Sequence, residues 1–229
     1  MASSGVTAYT YTRDQIINAA LRKLTVLSEG VSANSTQLST GAEALNLLVL
    51  QLQPLGLTLW SRKTTTVTMV AGTSSYTLSA PKPLRILQAY RRNTADQTNV
   101  DVEILPDYDF NLLPPSSTGV PTSVTYQPKV GQGILKVWPT PSSSMPAGTT
   151  LYVVNQSEIE VFTAGSETPD FPQEWYLTLV YQLAVMLAPE YGIPREDRSA
   201  LEKEAEKYLT TVLGLGMEDG SIYVRPEWH

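Results

Sequence analysis

Cysteine is absent from this chain of 229 residues, and histidine occurs once, at the terminal His229. Without a thiol there is neither a disulfide framework nor a thiolate nucleophile. With one histidine at the chain end, a histidine-based triad and a histidine-rich metal site are excluded on composition, and His229 reads as a solvated terminus. Basic residues are outnumbered: 16 Lys and Arg stand against 22 Asp and Glu, for a net charge of -6 and a pI near 4.9. That balance disfavours a protein that holds nucleic acid through a basic surface. No G-x-x-x-x-G-K-S/T loop occurs, and the GQG at 131–133 lies in a hairpin context. No cofactor and no metal is expected. The opening MASSGVTAYTYTRDQ has no basic segment followed by an apolar one, so no signal peptide is expected, and synthesis in the cytoplasm follows.

A membrane-length apolar run is also missing. Residues 175–188 are broken only by Thr178 and Gln182, but the run stops at Pro189 and Glu190, short of the roughly 20 residues a spanning helix needs. The run is expected to be a soluble helix, apolar nearly all round, which its own chain or neighbouring chains must cover. No membrane partner is expected. Hydrophobic content of 42% with 17% charge places the chain among globular proteins rather than disordered ones.

Three zones follow one another. The first is helical. Thr12 and Gln15 have capping-box spacing, and Ile16, Ile17, Ala20, Leu21 and Leu24 repeat at helical intervals. Gly30 and the stretch VSANST end this helix. A second is expected from about Ser39 to Gln53, with a stripe of Leu38, Ala42, Leu45, Val49 and Leu52. Leu47, Leu48 and Leu50 lie off that stripe, which predicts burial on two sides. The middle zone carries strand signals: TTTVTMV, YTL, LRILQAYRR, VDVEIL, VTYQ, ILKVWP and LYVVNQSEIEVF, separated by Gly-, Pro- and Asn-rich turns. The third zone holds the apolar helix and a charged one from about Arg195 to Leu213, parted by Pro189, Gly192 and Pro194. The expected fold class is α+β. N- and C-terminal helices (1–62 and 164–213) form a bundle, 63–163 form a central all-β insertion of sandwich or barrel type, and 214–229 form an extended C-terminal arm.

Residues with chemistry to offer are few. Asp101 with Glu103, Asp107 with Asp109, and Glu158 with Glu160 are carboxylate pairs two apart, the spacing that shares a strand face. Such pairs serve glycoside hydrolysis or hard cations, but nothing frames them with a third ligand, and a solvated face is the preferred reading. Arg91 and Arg92 beside Tyr90 read as ordinary surface. Trp60 and Trp138 read as core or domain-junction residues. Trp175, Tyr176, Leu179 and Tyr181 are read as bundle core, with a subunit interface as the sharper alternative. The tail carries Met217, Ile222, Tyr223, Val224, Arg225, Pro226 and Trp228 after Gly214, Gly216 and Gly220. It has more apolar area than an idle terminus needs. It either folds back on its own chain or docks on a partner as an extended arm.

Several pieces, in this order, resemble the head-to-tail adaptor (connector) proteins of short-tailed bacteriophages. YTRDQIINAALRKLTVL resembles their opening helix. VTMVAGTSSYTL resembles the entry to their β region. GVPTSVTYQ with ILKVWPTP resembles a G-x-P-T and W/Y-P-x-P pairing of phage connectors. FPQEWYLTLVYQLAVMLAPEYG resembles their C-terminal bundle helix. The resemblance implies a non-enzymatic structural protein of the virion, made in the host cytoplasm and placed at the head–tail junction. Its partners would be the portal protein, tail nozzle and fibre proteins, and identical subunits in a dodecameric ring. Genomic DNA would pass through the channel without sequence-specific binding, which suits an acidic wall. The resemblance also implies that the C-terminal segment grips the portal. Two rival readings remain: a virion-associated cell-wall glycoside hydrolase, and a carbohydrate- or tail-fibre-binding module on the β region.

Overall fold

Thr12 opens the first helix by the device its spacing predicts. Its hydroxyl accepts from the Gln15 N–H, and the Gln15 side chain accepts from the Thr12 N–H at 2.9 Å, satisfying two donors that have no partner within the helix. Asn34 and Gln37 repeat this reciprocal pair, at 2.9 and 3.0 Å, at the head of the second helix. That helix therefore begins at Ser35 rather than near Ser39, because Asn34 belongs to its cap and not to the break before it.

The computed structural model describes residues 5, 7–55, 59–78, 81–93 and 97–215. In chain order the elements are α1 (Arg13–Lys23), α2 (Ser35–Leu52), β1 (Arg62–Thr68), β2 (Ser75–Leu78), β3 (Pro83–Arg92), β4 (Asn99–Ile104), α3 (Asp107–Asn111), β5 (Thr118–Gly119), β6 (Ser123–Lys129), β7 (Gln132–Trp138), β8 (Thr140–Pro141), β9 (Thr150–Ser157), α4 (Tyr176–Leu187) and α5 (Arg195–Leu215). They fall into two compact units, one of residues 5–60 with 159–215 and one of residues 61–158.

In the first unit α4 touches α1, α2 and α5. Leu179, Leu183 and Leu187 are fully buried there with Ile16, Ile17 and Leu21 of α1 and Leu45 and Val49 of α2. The apolar run is thus covered on most sides by its own chain. α1 and α2 come close at Gly41, where a Cβ would stand 2.5 Å from Ile17 Cγ2. Asn46 on α2 holds the backbone of Phe162 by two hydrogen bonds, at 2.9 and 3.0 Å.

In the second unit seven strands form one sheet in the order β1-β9-β3-β4-β6-β7-β2, and β5 pairs with β8 beside it. All seven pair antiparallel except β4 with β6. Alternation of side chains puts Leu151 and Val153 of β9, Leu135 and Val137 of β7, Val124, Val102 and Ala89 on one face, where they form a core. Register shifts between Pro83 and Arg85 and between Ile86 and Gln88 mark bulges in β3, which bend and twist the strand. The sheet curls until it is nearly a closed barrel.

The expected fold class is corrected on this point. The fold is α+β, but one continuous, almost closed seven-stranded sheet dominates it and the helices are few, so it is not a helical bundle that carries a β insertion. Strand order and closure depend on pairings between residues as far apart as Arg62 and Gln156, and periodicity along the chain does not report them.

Candidate functional site

The two end strands of the sheet lie across a cleft from each other. It is lined by residues 63–68 of β1 and 76–78 of β2, with Pro81, Pro83 and Ser157 at the end near Lys63, and measures about 580 Å³. Successive side chains of a strand point to opposite faces. A hollow on a sheet face would therefore be lined by every second residue. The unbroken runs place the cleft along the strands rather than on one face, and Pro83 of β3 and Ser157 of β9 border it as well. Among the described residues β1 pairs only with β9, and β2 only with β7. Through the pairing senses of the sheet, β1 and β2 run in opposite directions. The loop 69–74 joins them across one end of the cleft. It is fixed there by Gly72, at φ +80°, whose N–H donates to the Pro141 carbonyl at 2.8 Å, and by the Val70 N–H donating to the Tyr76 hydroxyl at 3.0 Å.

The sheet's outer face carries a rigid cluster. Tyr90 and Tyr152 are cross-strand partners with rings 5.1 Å apart and parallel to within 1°. The Arg92 guanidinium lies 5.8 and 5.0 Å from their centroids and donates to Asn99 Oδ1 at 2.6 Å. Arg92 is thus held by two rings and an amide, more than the ordinary surface the sequence implied. Two of the carboxylates read for chemistry take structural partners: Glu158 pairs with Lys82 at 3.1 Å, and Asp107 accepts from Asn111 and Gln127. No group of carboxylates and histidines able to hold a metal ion occurs among the described residues.

The candidate interface on α4 is covered by its own chain. Trp175 is 5% exposed and packs on Phe171 and Trp60, with centroids 5.5 and 6.1 Å away. Leu179 is buried completely, Tyr176 stacks on Tyr11, and Tyr181 meets Tyr208 at 4.9 Å with Lys23 Nζ over its ring. On α2, Leu47 and Leu50 are each 51% exposed, and on α4 Leu177 is 47% exposed. With Thr36, Ser39, Glu43 and Pro54, Leu47 and Leu50 form a stripe spaced three or four apart, the geometry of a helix seam, and Glu43 is the only charged residue of α2. Of the second side expected on α2, Leu48 is buried as expected, while Leu47 and Leu50 are bare in the single chain.

Near α1, Glu167 staples a loop. Its carboxylate accepts from the Thr163 hydroxyl and N–H, both at 2.6 Å, and from the Ala164 N–H at 2.9 Å. These donors hold its pKa down at about 2. Met217, Ile222, Tyr223, Val224, Arg225, Pro226 and Trp228 lie outside the described residues, and α5 continues to Leu215, two residues into the expected arm. No described helix is long and apolar enough to cross a membrane. Residues 11–223 match the family described as SU10 adaptor protein, and no curated protein matches the chain.

Proposed function

The chain belongs to the SU10 adaptor protein family, hence to the structural adaptors of bacteriophages, and from that premise we propose that it is a head-to-tail adaptor of a short-tailed phage. Identical subunits form a ring below the portal, dodecameric by the resemblance, which extends the DNA channel and offers tail proteins a platform. The family match over nearly the whole chain carries this reading. The net charge of -6 supports it, since an acidic wall lets DNA slide without holding it. The bare stripe of Leu47 and Leu50 supports contact between neighbouring subunits. The segment 214–229 is the portal-binding arm in this reading, with Tyr223 and Trp228 as its anchors.

The test is analytical ultracentrifugation of the isolated chain, the isolated portal and their mixture, followed by imaging of the complex. The chain alone should sediment as a monomer and the mixture as a ring seated on the portal. A stable closed ring without portal, or no association with it, overturns the proposal. Leu47→Ser with Leu50→Ser should change folding stability by no more than about 0.5 kcal/mol while abolishing the ring. Tyr223→Ala with Trp228→Ala should abolish portal binding.

A further inference from the structure

We propose that the bare stripe of α2 seats on α5 of a second copy of this chain, so that subunits join head to tail through these two helices. The ring itself rests on the adaptor reading; the contact follows from the two helices alone. α5 packs on α4 and buries Ala205 and Val212. At 3.6 residues per turn, the side of α5 turned away from them is formed by Ala200, Lys203, Lys207, Thr211 and Gly214, all exposed. Their steps along the chain are three, four, four and three residues. Thr36, Ser39, Glu43, Leu47 and Leu50 of α2 are exposed too and follow the same steps. Two helices whose outward positions share one spacing lie side by side with every position matched.

The side chains that meet in this match decide the occupant. Glu43, the one charge on α2, stands opposite Lys207, and Ser39 stands opposite Lys203. Leu47 falls on Thr211, whose hydroxyl donates to the Lys207 carbonyl at 2.9 Å. With that donor used inside its own helix, Thr211 has its methyl group to offer. Leu50 falls on Gly214, where nothing lies within 4 Å of the Cβ position, an open seat for a leucine. Running α2 the other way keeps Glu43 on Lys207 but sets Leu47 on Lys203, so the parallel direction is the complementary one. One chain cannot make this contact with itself, because its α2 and α5 both pack on α4 and turn these stripes outward. The segment 216–229, with Glu218, Asp219 and Glu227 against Arg225 alone, has the wrong charge for Glu43. A foreign partner would have to bring a cation at this spacing, whereas a second copy already carries it. The two faces differ, so the contact is heterologous: each copy gives α2 to one neighbour and α5 to the other, which extends around a ring instead of stopping at a dimer.

The chain has no cysteine, so only introduced thiols can link. Glu43→Cys with Lys207→Cys, Ser39→Cys with Lys203→Cys, and the control Ser39→Cys with Thr211→Cys are each mixed with portal, oxidised and run on non-reducing gels. In parallel, ring assembly on the portal is measured for Glu43→Lys, for Lys207→Glu and for the two together, after circular dichroism of each monomer has shown it folded. The expected result is a ladder of covalent multimers from the first two pairs and none from the control. Each single charge reversal should weaken ring assembly about tenfold or more, and the double reversal should restore it. Absence of the ladder from either pair, a ladder from the control, links confined to one chain, or single reversals that are harmless or not restored by the double overturn the proposal while leaving the adaptor reading intact. An unsubstituted chain that forms no ring on the portal overturns both.

Discussion

The helical unit and the β unit are incomplete in different ways. The helical unit leaves side chains bare, Leu47 and Leu50 of α2, while its backbone is satisfied within each helix. The β unit buries its side chains well, with Leu135 and Leu151 wholly covered, and among the described residues one edge each of β1 and β2 has no strand beside it. This contrast follows from where each element finds its hydrogen bonds. A helix bonds to its own next turn and needs neighbours only for its apolar stripe, whereas a strand bonds to another strand and always needs two. A partner of the first unit is therefore chosen by side-chain shape. A partner of the second is chosen by extension first and by alternate side chains second.

The strongest way to break the comparison is to hollow each core separately. Leu183→Ala in the helical unit and Leu135→Ala in the β unit each remove a fully buried side chain and should cost about 2–5 kcal/mol. Because the two buried clusters share no residue, each variant should lower the unfolding transition of its own unit, read by helical circular dichroism for one and by amide exchange in β7 and β9 for the other. If either variant brings both transitions down together, the units are one cooperative body.

A smaller effect tests how tightly the helical unit is packed. Gly→Ala inside a helix ordinarily stabilises by about 0.5–1 kcal/mol. At Gly41 the new methyl would meet Ile17 Cγ2 at 2.5 Å, so Gly41→Ala should destabilise by about 1–3 kcal/mol in urea unfolding. Gly214→Ala, which meets nothing within 4 Å, should not destabilise. Equal behaviour at both positions would mean that α1 and α2 are not in close contact.

The smallest effect concerns pH. Glu167 has its pKa lowered from 4.5 to about 2 in the folded chain. A lowered carboxylate pKa stabilises the fold above the unfolded value, and that contribution fades as pH falls through the folded value. The loop 163–167 should keep its hydrogen bonds at pH 4 and release them only as pH approaches 2. A carboxyl carbon titration by NMR that gives Glu167 an ordinary midpoint would remove this account, and Glu167→Gln should free the loop at neutral pH.

Much of the local structure was legible in the residues. The Thr12 and Gln15 cap, the run that became α4, and the separation of α4 from α5 by Pro189, Gly192 and Pro194 all depend on neighbours within a few positions. The cap at Asn34 and Gln37 was equally local but hidden inside a stretch that looked like a break. The strand segments were visible, yet their order was not. β1 and β2 follow each other directly and look like a hairpin, but each pairs with a partner far along the chain, so the cleft between them left no mark in the sequence. The short α3 also went unseen, as did the end of β9 at Ser157, five residues before the strand-like pattern stops. Leu47 and Leu50 were recognised as a second apolar side, but whether a side is covered depends on what packs there, which periodicity does not state.

The ladder between β1 and β9 has a kinetic consequence. Arg62 faces Gln156 across it, so the two points where the chain enters and leaves the β unit are held about 5 Å apart. The halves of the helical unit, residues up to 60 and from 159, are joined through this unit. Were those roughly 100 residues an unstructured loop, bringing α2 and α4 together would carry a closure entropy of roughly 4 kcal/mol by (3/2)RT ln n. Once β1 has zipped to β9 that loop shrinks to a few residues, and α4 finds α1 and α2 as if it were their near neighbour in sequence. The coupling is mutual: helices that meet first bring β1 and β9 together in the same way, so whichever contact forms first carries the closure cost for the other.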